Sequence, residues 1–600
     1  MNGDFQNPNE DPGLQKRLIL VFAITFAIIL VTQPLLRKFA PQLVEKPKEE
    51  QQQNQPAAGG GQPAASSGQP AASAQPGSAA SSSKQAAART PVPPVENKQA
   101  AGEREVVVEN DLYKITFTNR GAQVKSWILK RFKDNQGHPL ELVNKYGAET
   151  AGYPLSLWAY DETLRNQLNS ALYVREEGSD AGIKTAPADL TFEYAAGDLS
   201  VRKSFHFGHS YEVRVETEVT RGGANVTAYP AWPGGFGDST NPASYGAERI
   251  DYQYANNIER LAAKKASGGA TIAGPFHWAG VIDQYFAAIF LPDDPQHVAM
   301  ITLHNQASIP EDPAKPDPNK TIKVSVLGAA VGNPNGKTSA RLYVGPKAVD
   351  VLQSVHAANE GPNLEGALDF GYFGFISKPL FLWLKWTQEH WTSNWGWAII
   401  VLTVIINAAL FPLRLSSMKS ALKMQKVAPQ VKAIQERYKK FKLNDPRRAA
   451  QNDELQALYK EHGVNPVGGC FPVLLQMPFL FAFYSMLGNS IELRHAHWLW
   501  IHDLAAPDTL HLLPIGIIIT MFFTQRFTPQ AGMDPMQQRM MAVMMPVMMG
   551  VISWNLSSGL GLYWAVGNLI GLAQQIWMNN TEFGRQVRAH AEERARKPRK

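Results

Sequence analysis

The sequence has a single cysteine, Cys470, and no Asp or Glu in the apolar stretches that crowd its C-terminal third. One cysteine excludes a disulfide within the chain, and it neither supports nor excludes an oxidising compartment. Proton-coupled transporters usually need a relay of carboxylates inside the membrane, so the lack of acidic residues counts against a pump.

The usual catalytic and ligand-binding motifs are missing as well. There is no nucleophile–base pattern, no clustered His or Cys, no GxSxG and no HExxH. The stretch "GNPNGKT" (332–338) has three residues, not four, between its first Gly and the Gly-Lys pair, which indicates a turn rather than a phosphate-binding loop. The sequence therefore predicts no catalytic residue, no metal site, no cofactor and no enzyme.

The N-terminal region contains a long uncharged run. Residues 18–36 are apolar and long enough to cross a bilayer, and Pro34 to Lys38 follow where a cleavage site would need small residues. We therefore expect a retained membrane anchor span in residues 1–40. The Pro/Ala/Gln/Ser-rich segment 41–103 has almost no large apolar residue and is predicted to be a disordered linker.

Residues 104–365 alternate apolar and polar positions in short runs, for example at 189–206 and 321–330. This period predicts half-buried strands, and we expect one large antiparallel β-sandwich. Segment 366–396 carries tryptophans among apolar and polar residues, which favours an amphipathic helix at the membrane interface. The alternative is a helix packed under the β-domain.

Five further apolar stretches predict a five-span core in residues 397–580. With the anchor, the fold class is an α-helical polytopic membrane protein of six spans with a large extramembrane β-sandwich. The segment 414–464 between the first two core spans is basic and contains two helix-like runs, which predicts a helical hairpin. The predicted core spans are 397–413, 470–488, 512–527, 540–556 and 560–578.

Positive charge gathers in the hairpin and in the C-terminal tail, 581–600. Short loops rich in Lys and Arg stay cytoplasmic, so both termini are predicted to be cytoplasmic and the β-domain to lie outside. The hairpin is either a solvated charged surface or a docking surface for an anionic partner.

Neutral polar residues occur inside the predicted spans. Thr403 and Asn407 are one helical turn apart and share a face, and Arg414 lies roughly 10 Å beyond Asn407 if the helix continues. These groups either join helices through hydrogen bonds or line a water-filled recess open to the cytosol. The other polar residues of the set are Gln476, Gln525, Arg526, Asn568, Gln574 and Gln575.

Several stretches together resemble one known family. They are "VNPVGGCFPVLLQMPFLFAFYSML" (464–487), "WIHDL" (500–504), "DPMQQRMM" (534–541), "SSGLGLYWAVGNLIGLAQQ" (557–575), "LYVGPK" (342–347) and "FGFISKPLFLWLKW" (373–386). In this order they are similar to the YidC membrane insertases of the Gram-negative type, which have a large periplasmic domain.

The resemblance implies a function in the bacterial inner membrane. Members insert and fold nascent membrane proteins, alone or with the Sec translocon, through a hydrophilic groove open to the cytosol, while the apolar segment of the substrate moves along the third and fifth spans. The groove residues implied here are Thr403, Asn407, Arg414, Gln476, Gln525, Arg526, Tyr563, Trp564, Asn568 and Gln575, and the apolar slide is formed by Phe471, Met477, Phe481, Met544 and Met548.

The sequence departs from the family at one position. Members usually carry a basic residue, most often Arg, in the first core span, and alignment on "LFPL" (410–413) places Asn407 there. Either Arg414 or Arg526 supplies the cation from the mouth of the groove, or the charge is dispensable.

The expected partners are nascent membrane proteins, the Sec translocon, membrane lipids, and the ribosome through the basic tail and hairpin; no DNA is expected. The alternative function is a polytopic solute transporter, which would need a midplane site and often inverted repeats.

Overall fold

The computed structural model describes residues 97–176, 182–312, 315–317, 319–441, 445–464, 471–528, 535–582, 584–586 and 589. The predicted anchor in 1–40, most of the linker in 41–103 and most of the basic tail in 581–600 lie outside these residues.

The β-domain consists of strands whose apolar residues alternate with polar ones, as in "EVRVETEVTR", where the valines are buried. The strands are β1 Glu105–Glu109, β2 Tyr113–Thr118, β3 Gln123–Lys133, β4 Pro139–Glu141, β5 Leu157–Trp158, β6 Val174–Arg175, β7 Ile183–Thr185, β8 Ala188–Ala196, β9 Leu199–Phe207, β10 Glu212–Arg221, β11 Ala224–Asn225, β12 Tyr229–Trp232, β13 Arg249–Tyr254, β14 Asn257–Ala262, β15 Thr271–Ala273, β16 Trp278–Ile282, β17 Phe286–Pro292, β18 Ala299–Pro310, β19 Thr321–Gly332 and β20 Thr338–Pro346.

Three sheets arise from these strands. Their orders are β4-β3-β2-β1-β7, then β14-β13-β16-β17-β20-β10-β9-β8-β6 with β11 beside β10, and β15-β18-β19-β12-β5. All pairings are antiparallel in the described strands except β1 with β7. The run predicted at 189–206 is the hairpin of β8 and β9, closed by Gly197 at φ +64°.

Aromatic side chains fill the space between the sheets. Phe117 of β2 lies 4.9 Å from Phe205 of β9 between ring centroids, and Trp127 of β3 lies 5.9 Å from Trp232 of β12. Apolar faces of different sheets therefore share one core, and the prediction of a large antiparallel β-domain is confirmed.

A lysine is buried inside this domain. Lys203 of β9 is fully buried, and its Nζ donates to the carbonyl oxygens of Gly121, Ala122 and Leu155 at 2.8, 2.8 and 2.6 Å. Three carbonyl acceptors match the three N–H donors of an ammonium group, so the side chain fastens two loops to the strand.

The β-domain begins before the predicted boundary at 104. Lys98 exchanges backbone hydrogen bonds with Ala195 of β8, and Ala100 donates to Leu172. These bonds satisfy backbone groups that would otherwise stay unpaired, so the last residues of the segment predicted as linker belong to the β-domain.

The described helices are α1 Lys145–Ala151, α2 Glu162–Ser170, α3 Pro242–Tyr245, α4 Val349–Ser354, α5 Gly374–Thr387, α6 Trp395–Tyr438, α7 Arg447–Glu461, α8 Phe471–Asn489, α9 Leu512–Phe527, α10 Pro535–Ser553 and α11 Ser558–Asn580. Short 3-10 turns lie at Leu364–Ala367 and Ile491–Leu493, and a π-helical turn follows α5 at Gln388–Thr392.

Helix α6 continues far beyond the predicted end of its span at 413. It runs for 44 residues without interruption and includes Pro412 and Pro429. A proline costs a helix one hydrogen bond, and the residues that follow Pro412 are mostly strong helix formers such as Leu, Met, Lys and Ala. The first limb of the predicted hairpin is therefore the continuation of the span, and α7 is the second limb.

Helix α5 occupies the centre of the segment predicted as an interfacial helix, but it begins at 374 rather than 366. It exposes Trp383 and Trp386 and buries Phe381 and Leu384. Lys385 forms an ion pair with Asp350 of α4, which ties the helix to the end of the β-domain. These contacts fit both a helix at the membrane interface and a helix packed under the β-domain. The position of α5 in a membrane interface therefore stays a prediction.

Helix α6 is the one helix of the described residues that is long and apolar enough to cross a membrane by length and composition. Leu512–Phe527 and Ala542–Ser553 are shorter apolar helices. Apart from the C-terminal end of α6, the helix bounds agree with the predicted core spans to within about five residues, and the total of six spans stays a prediction.

Candidate functional site

A single cation lies where three core helices meet. Arg414 of α6 donates from Nη2 to Gln476 Oε1 of α8 at 2.7 Å and from Nη1 to Gln574 Oε1 of α11 at 3.3 Å. The guanidinium is partly buried, and both acceptors are neutral amides. An uncompensated positive charge held in this way attracts an anionic group and can bind it with two parallel hydrogen bonds.

Glycines on α11 make room for this arrangement. A Cβ at Gly571 would lie 3.4 Å from Arg414 Nη1, and one at Gly567 would lie 4.0 Å from Asn407 Nδ2. Positions 567, 571 and 574 follow helical spacing, so they face α6 together. The backbone of α11 therefore forms a smooth wall beside the polar face of α6.

Asn407 and Thr403 lie about two and three turns before Arg414 on that face, and both are buried. Asn407 Nδ2 donates to the Thr403 carbonyl oxygen at 2.8 Å, and the Thr403 hydroxyl donates to the Ile399 carbonyl oxygen at 2.6 Å. Asn407 thus bonds to Thr403 of its own helix, through the backbone carbonyl, whereas Gln476 of α8 accepts from Arg414 and not from Asn407.

Two of the buried polar atoms that lack hydrogen-bond partners among the described residues lie on the facing helices α6 and α11. They are Asn407 Oδ1, an acceptor on α6, and Asn568 Nδ2, a donor on α11, and both atoms are buried. Buried polar atoms are costly without a hydrogen bond and are commonly satisfied by ordered water. These two atoms therefore favour a hydrated interior over dry packing between the helices.

The other predicted groove residues lie apart from Arg414. Gln575 donates to Asn579 Oδ1 at 3.0 Å, and Asn579 in turn donates to the Phe527 carbonyl oxygen at the end of α9. Gln525 Nε2 lies 3.9 Å from Met545 Sδ of α10, and Arg526 is exposed. Arg414, not Arg526, is thus the cation placed inside the helical core.

Two aromatic residues of the predicted groove lie on α11. Tyr563 is buried and stacks on Phe483 of α8, with ring centroids 3.9 Å apart and planes at 11°. Trp564 is half-buried. The stacked pair closes the contact between α8 and α11 on one side of the polar residues.

Gln574 rather than Gln575 reaches the cation. The helical phase explains why Gln574 is the partner. Position 574 lies seven residues, or two turns, beyond Gly567, which faces Asn407, whereas position 575 is rotated by a further 100° around the helix. Both glutamines were visible in the sequence, but only the position of α11 against α6 distinguishes them.

The residues predicted as an apolar slide are exposed where they are described. Met477 and Phe481 on α8 are 39% and 47% exposed, and Met544 and Met548 on α10 are 56% and 47% exposed. The side chain of Phe471 lies outside the described residues. Exposed apolar side chains on two helices of the core suit contact with lipid or with an apolar segment of another chain.

Comparison with known proteins extends over almost the whole described chain. A family model described as "60Kd inner membrane protein" matches residues 386–585, and one described as "YidC periplasmic domain" matches residues 105–383. The membrane protein insertase YidC of Geobacter sulfurreducens is 33% identical over 488 residues, covering 78% of this chain and 85% of the relative. The chain belongs to the YidC family.

Another YidC sequence and a YidC crystal structure also match most of the chain. YidC of Syntrophus aciditrophicus is 29% identical over 94% of this chain and 99% of its own. A crystal structure of active YidC insertase with its first transmembrane domain resolved covers 80% of this chain and 93% of that chain, at 20% identity and a TM-score of 0.33. The resemblance drawn from the sequence is confirmed, and so is the prediction that the chain is not an enzyme, since the named relatives are insertases.

Proposed function

We propose that this YidC protein inserts and folds nascent membrane proteins by holding a polar part of the substrate at Arg414 while the apolar part passes into lipid. The observation that supports this most is the partly buried Arg414 guanidinium, which bonds only neutral amides in the described structure, at the meeting point of α6, α8 and α11. A charge kept inside a membrane protein without an acidic partner is costly and indicates a functional site.

The proposed mechanism uses exchange of hydrogen bonds. Gln476 and Gln574 hold the guanidinium while the site is empty, and a carboxylate of the substrate replaces one of these amide oxygens. A bond to a charged group is about twice as strong as a neutral one, so the exchange is favourable. Because the substrate is held reversibly by a few such bonds, no nucleotide is needed to release it.

The departure at Asn407 fits the same mechanism. The unpartnered Asn407 Oδ1 accepts hydrogen bonds from water or from a substrate backbone N–H, and the cation lies two helical turns away at Arg414. We therefore assign Arg414 the role that the resemblance gives to a basic residue at position 407.

The proposed slide receives the apolar part of the substrate. Met477, Phe481, Met544 and Met548 are exposed on α8 and α10. Flexible thioethers adapt to apolar segments of varied shape, as a protein with many substrates requires. We propose an inner-membrane location with both termini cytoplasmic and the β-domain periplasmic, which follows from the placement of Lys and Arg.

Reconstitution tests this function directly. Purified protein in liposomes without other proteins should give a small single-span substrate a protease-protected outer segment, and addition of the Sec translocon should widen the range of substrates. A protein that leaves all such substrates unprotected, with or without the translocon, is not an insertase of this kind.

The hydrated interior is tested by thiol labelling. In a Cys470→Ser background, Asn407→Cys should react with a water-soluble thiol reagent at least ten times faster than Val404→Cys, because Val404 lies on the exposed apolar side of the same helix, 47% exposed. Labelling is measured in membranes by mass spectrometry. Equal, slow labelling at both positions would show that Asn407 only joins helices.

Ribosome binding is proposed for the basic hairpin and tail. The hairpin is held by an apolar contact in which Val427 and Val431 of α6 pack beside Leu455 and Leu458 of α7, so its Lys and Arg residues project from a stable support. Phosphate contacts made by such a surface depend strongly on salt.

Truncation measures the share of the tail. Removal of residues 584–600 should weaken cosedimentation with ribosomes several-fold at low salt. Raising the salt from about 50 to 200 mM should weaken ribosome binding by the full-length protein by a further large factor. Cosedimentation that responds to neither change would rule out this role, and the positive charge would then serve only to orient the chain.

A further inference from the structure

The β-domain and the outer loop between α8 and α9 are joined by polar contacts. Gln284, in the turn between β16 and β17, donates from Nε2 to the Gly488 carbonyl oxygen at 2.6 Å. Asn489 Nδ2 donates to the Asp369 carbonyl oxygen at 3.2 Å. We call the contact of the β-domain with residues 488–511, which comprise the end of α8 and the loop that follows it, the junction.

An ion pair is buried at the centre of the junction. Arg494 Nη1 of the loop lies 3.5 Å from Asp238 Oδ2 of the β-domain, and these side chains are 9% and 6% exposed. The guanidinium also lies 5.3 Å and 5.4 Å from the ring centroids of Tyr285 and Phe286. The guanidinium of the loop is thus buried against an Asp238 oxygen and two aromatic rings of the β-domain, a contact that an uncharged Asp238 can also make through its oxygen.

Negative groups outnumber this one cation around a cavity of about 170 Å³. Asp238, Asp283 and Asp503 line the cavity together with Arg494 and Gln284. Glu248 lies beside them in the β-domain, where it accepts from Phe236 N, Leu327 N and the Ser239 hydroxyl at 3.3, 3.3 and 3.2 Å. Arg494 cannot neutralise all of these carboxyl groups.

The carboxyl groups are unequally satisfied. Asp283 Oδ1 accepts from the backbone N–H groups of Tyr285 and Phe286 at 2.7 and 2.5 Å, as expected of an anion. Asp238 Oδ1 is buried, lines the cavity and has no hydrogen-bond partner in the described part of the chain. A carboxylate oxygen in that position is costly, whereas a protonated carboxyl group at Asp238 can donate its O–H to a neighbouring carboxylate.

From this geometry we propose that the junction is proton-controlled: Asp238 holds a proton while the β-domain is docked on loop 488–511, and loss of that proton releases the loop. The charged and titratable groups that face Asp238 are Tyr245, Glu248, Asp283 and Tyr285 of the β-domain and Arg494 and Asp503 of the loop. Lys347 does not line the cavity and donates to the backbone carbonyl oxygens of Asp283 and Gln284. The proposal is independent of the insertion mechanism at Arg414.

The electrostatics of the docked state support the proposal. Burial, followed by the charge of Asp283, raises the pKa of Asp238 well above its usual range, and burial raises the pKa of Glu248 to about 8. Loop residues Arg494, Asp503, Ala505 and Ala506 line the cavity, so release of the loop would open Asp238 to water and remove part of this burial, whereas Arg494 acts in the opposite direction and only reduces the rise. Asp238 therefore binds a proton on docking. Docking is therefore strongest at acidic pH and weakens as pH rises from the ordinary pKa of Asp, about 4, toward the raised value, by up to tenfold per pH unit for one proton.

The experiment uses the full-length protein in nanodiscs in a Cys470→Ser background. A fluorescence donor and acceptor are attached at Ile183→Cys of the β-domain and Leu510→Cys of the loop, both of which are exposed. Energy transfer is recorded from pH 5 to 8.5. We expect one docked population at pH 5 and a growing second population at higher pH, reversible on return to pH 5.

Matched variants identify the group responsible. Asp238→Asn cannot lose a proton and should remain docked over the whole range, while Asp198→Asn, at an exposed aspartate of the β8–β9 turn, should respond like the parent protein. Asp283→Asn, whose amide oxygen can still accept the two backbone bonds, should also reduce the response. Energy transfer that is constant with pH in the parent protein, or an unchanged response in both Asp238→Asn and Asp283→Asn, would overturn the proposal.

Discussion

Arg414→Ala should reduce insertion of substrates that carry an acidic segment at least tenfold, without reducing the amount of folded protein in the membrane. The substitution removes the cation of the helical core and its bonds to Gln476 and Gln574. A hydrogen bond to a charged group is worth about 1.5–3 kcal/mol, and about 1.4 kcal/mol corresponds to a factor of ten. The measurement is the protease-protected fraction of a single-span substrate in proteoliposomes.

Three control variants sharpen this test. Arg526→Ala removes an exposed cation at the end of α9 and should leave insertion nearly unchanged. Arg414→Lys should keep part of the activity, because lysine retains the positive charge but cannot form the bidentate hydrogen bonds of a guanidinium. In Asn407→Arg/Arg414→Gln, the cation is moved to the position that is basic in relatives, and insertion should recover. Full activity of Arg414→Ala would exclude the proposed role of the cation.

Lys203→Ala should lower the free energy of unfolding of the β-domain by about 3–5 kcal/mol. The variant leaves the carbonyl oxygens of Gly121, Ala122 and Leu155 without their donor and opens a cavity in a fully packed core. Unsatisfied buried acceptors cost about 1–3 kcal/mol each, and large-to-small substitutions in cores cost about 2–5 kcal/mol. Thermal unfolding of the full-length protein, followed by the fluorescence of the β-domain, reports the loss.

Two further variants separate packing from hydrogen bonding. Lys203→Met fills most of the same volume but donates no hydrogen bond, so it should recover only the cavity part of the loss. Lys125→Ala removes a more exposed lysine that pairs with Glu103 and Glu105, and should change stability by less than about 1 kcal/mol. A stability of Lys203→Ala equal to that of Lys125→Ala would show that the buried ammonium group contributes nothing.

Local patterns in the sequence predicted much of this fold. The α9 helix has the bounds of the predicted span, because an apolar run whose one charge, Arg526, comes at its end is followed by Thr and Pro. The β-domain followed from the alternation of apolar and polar residues. The end of α6 was missed, because Pro412 and the onset of charge suggest a helix end, whereas the helix continues through both.

Contacts between distant parts of the chain could not be predicted in the same way. Arg414, Gln476 and Gln574 were all visible as polar residues in apolar surroundings, but their meeting depends on how three helices pack. The junction was not predicted at all, since Asp238 and Arg494 are 256 positions apart and each is an ordinary loop residue in the sequence. The family resemblance supplied the function of the core and gave no information on this contact.

The uninterrupted α6 also has a mechanical consequence. At 1.5 Å per residue its 44 residues form a rod about 66 Å long, with Arg414 near the middle and α7 packed against its far end. No loop separates Arg414 from the hairpin, so a force applied to the hairpin acts on the same helix that carries Arg414. Any partner bound at the hairpin would thus act on the orientation of the guanidinium as well.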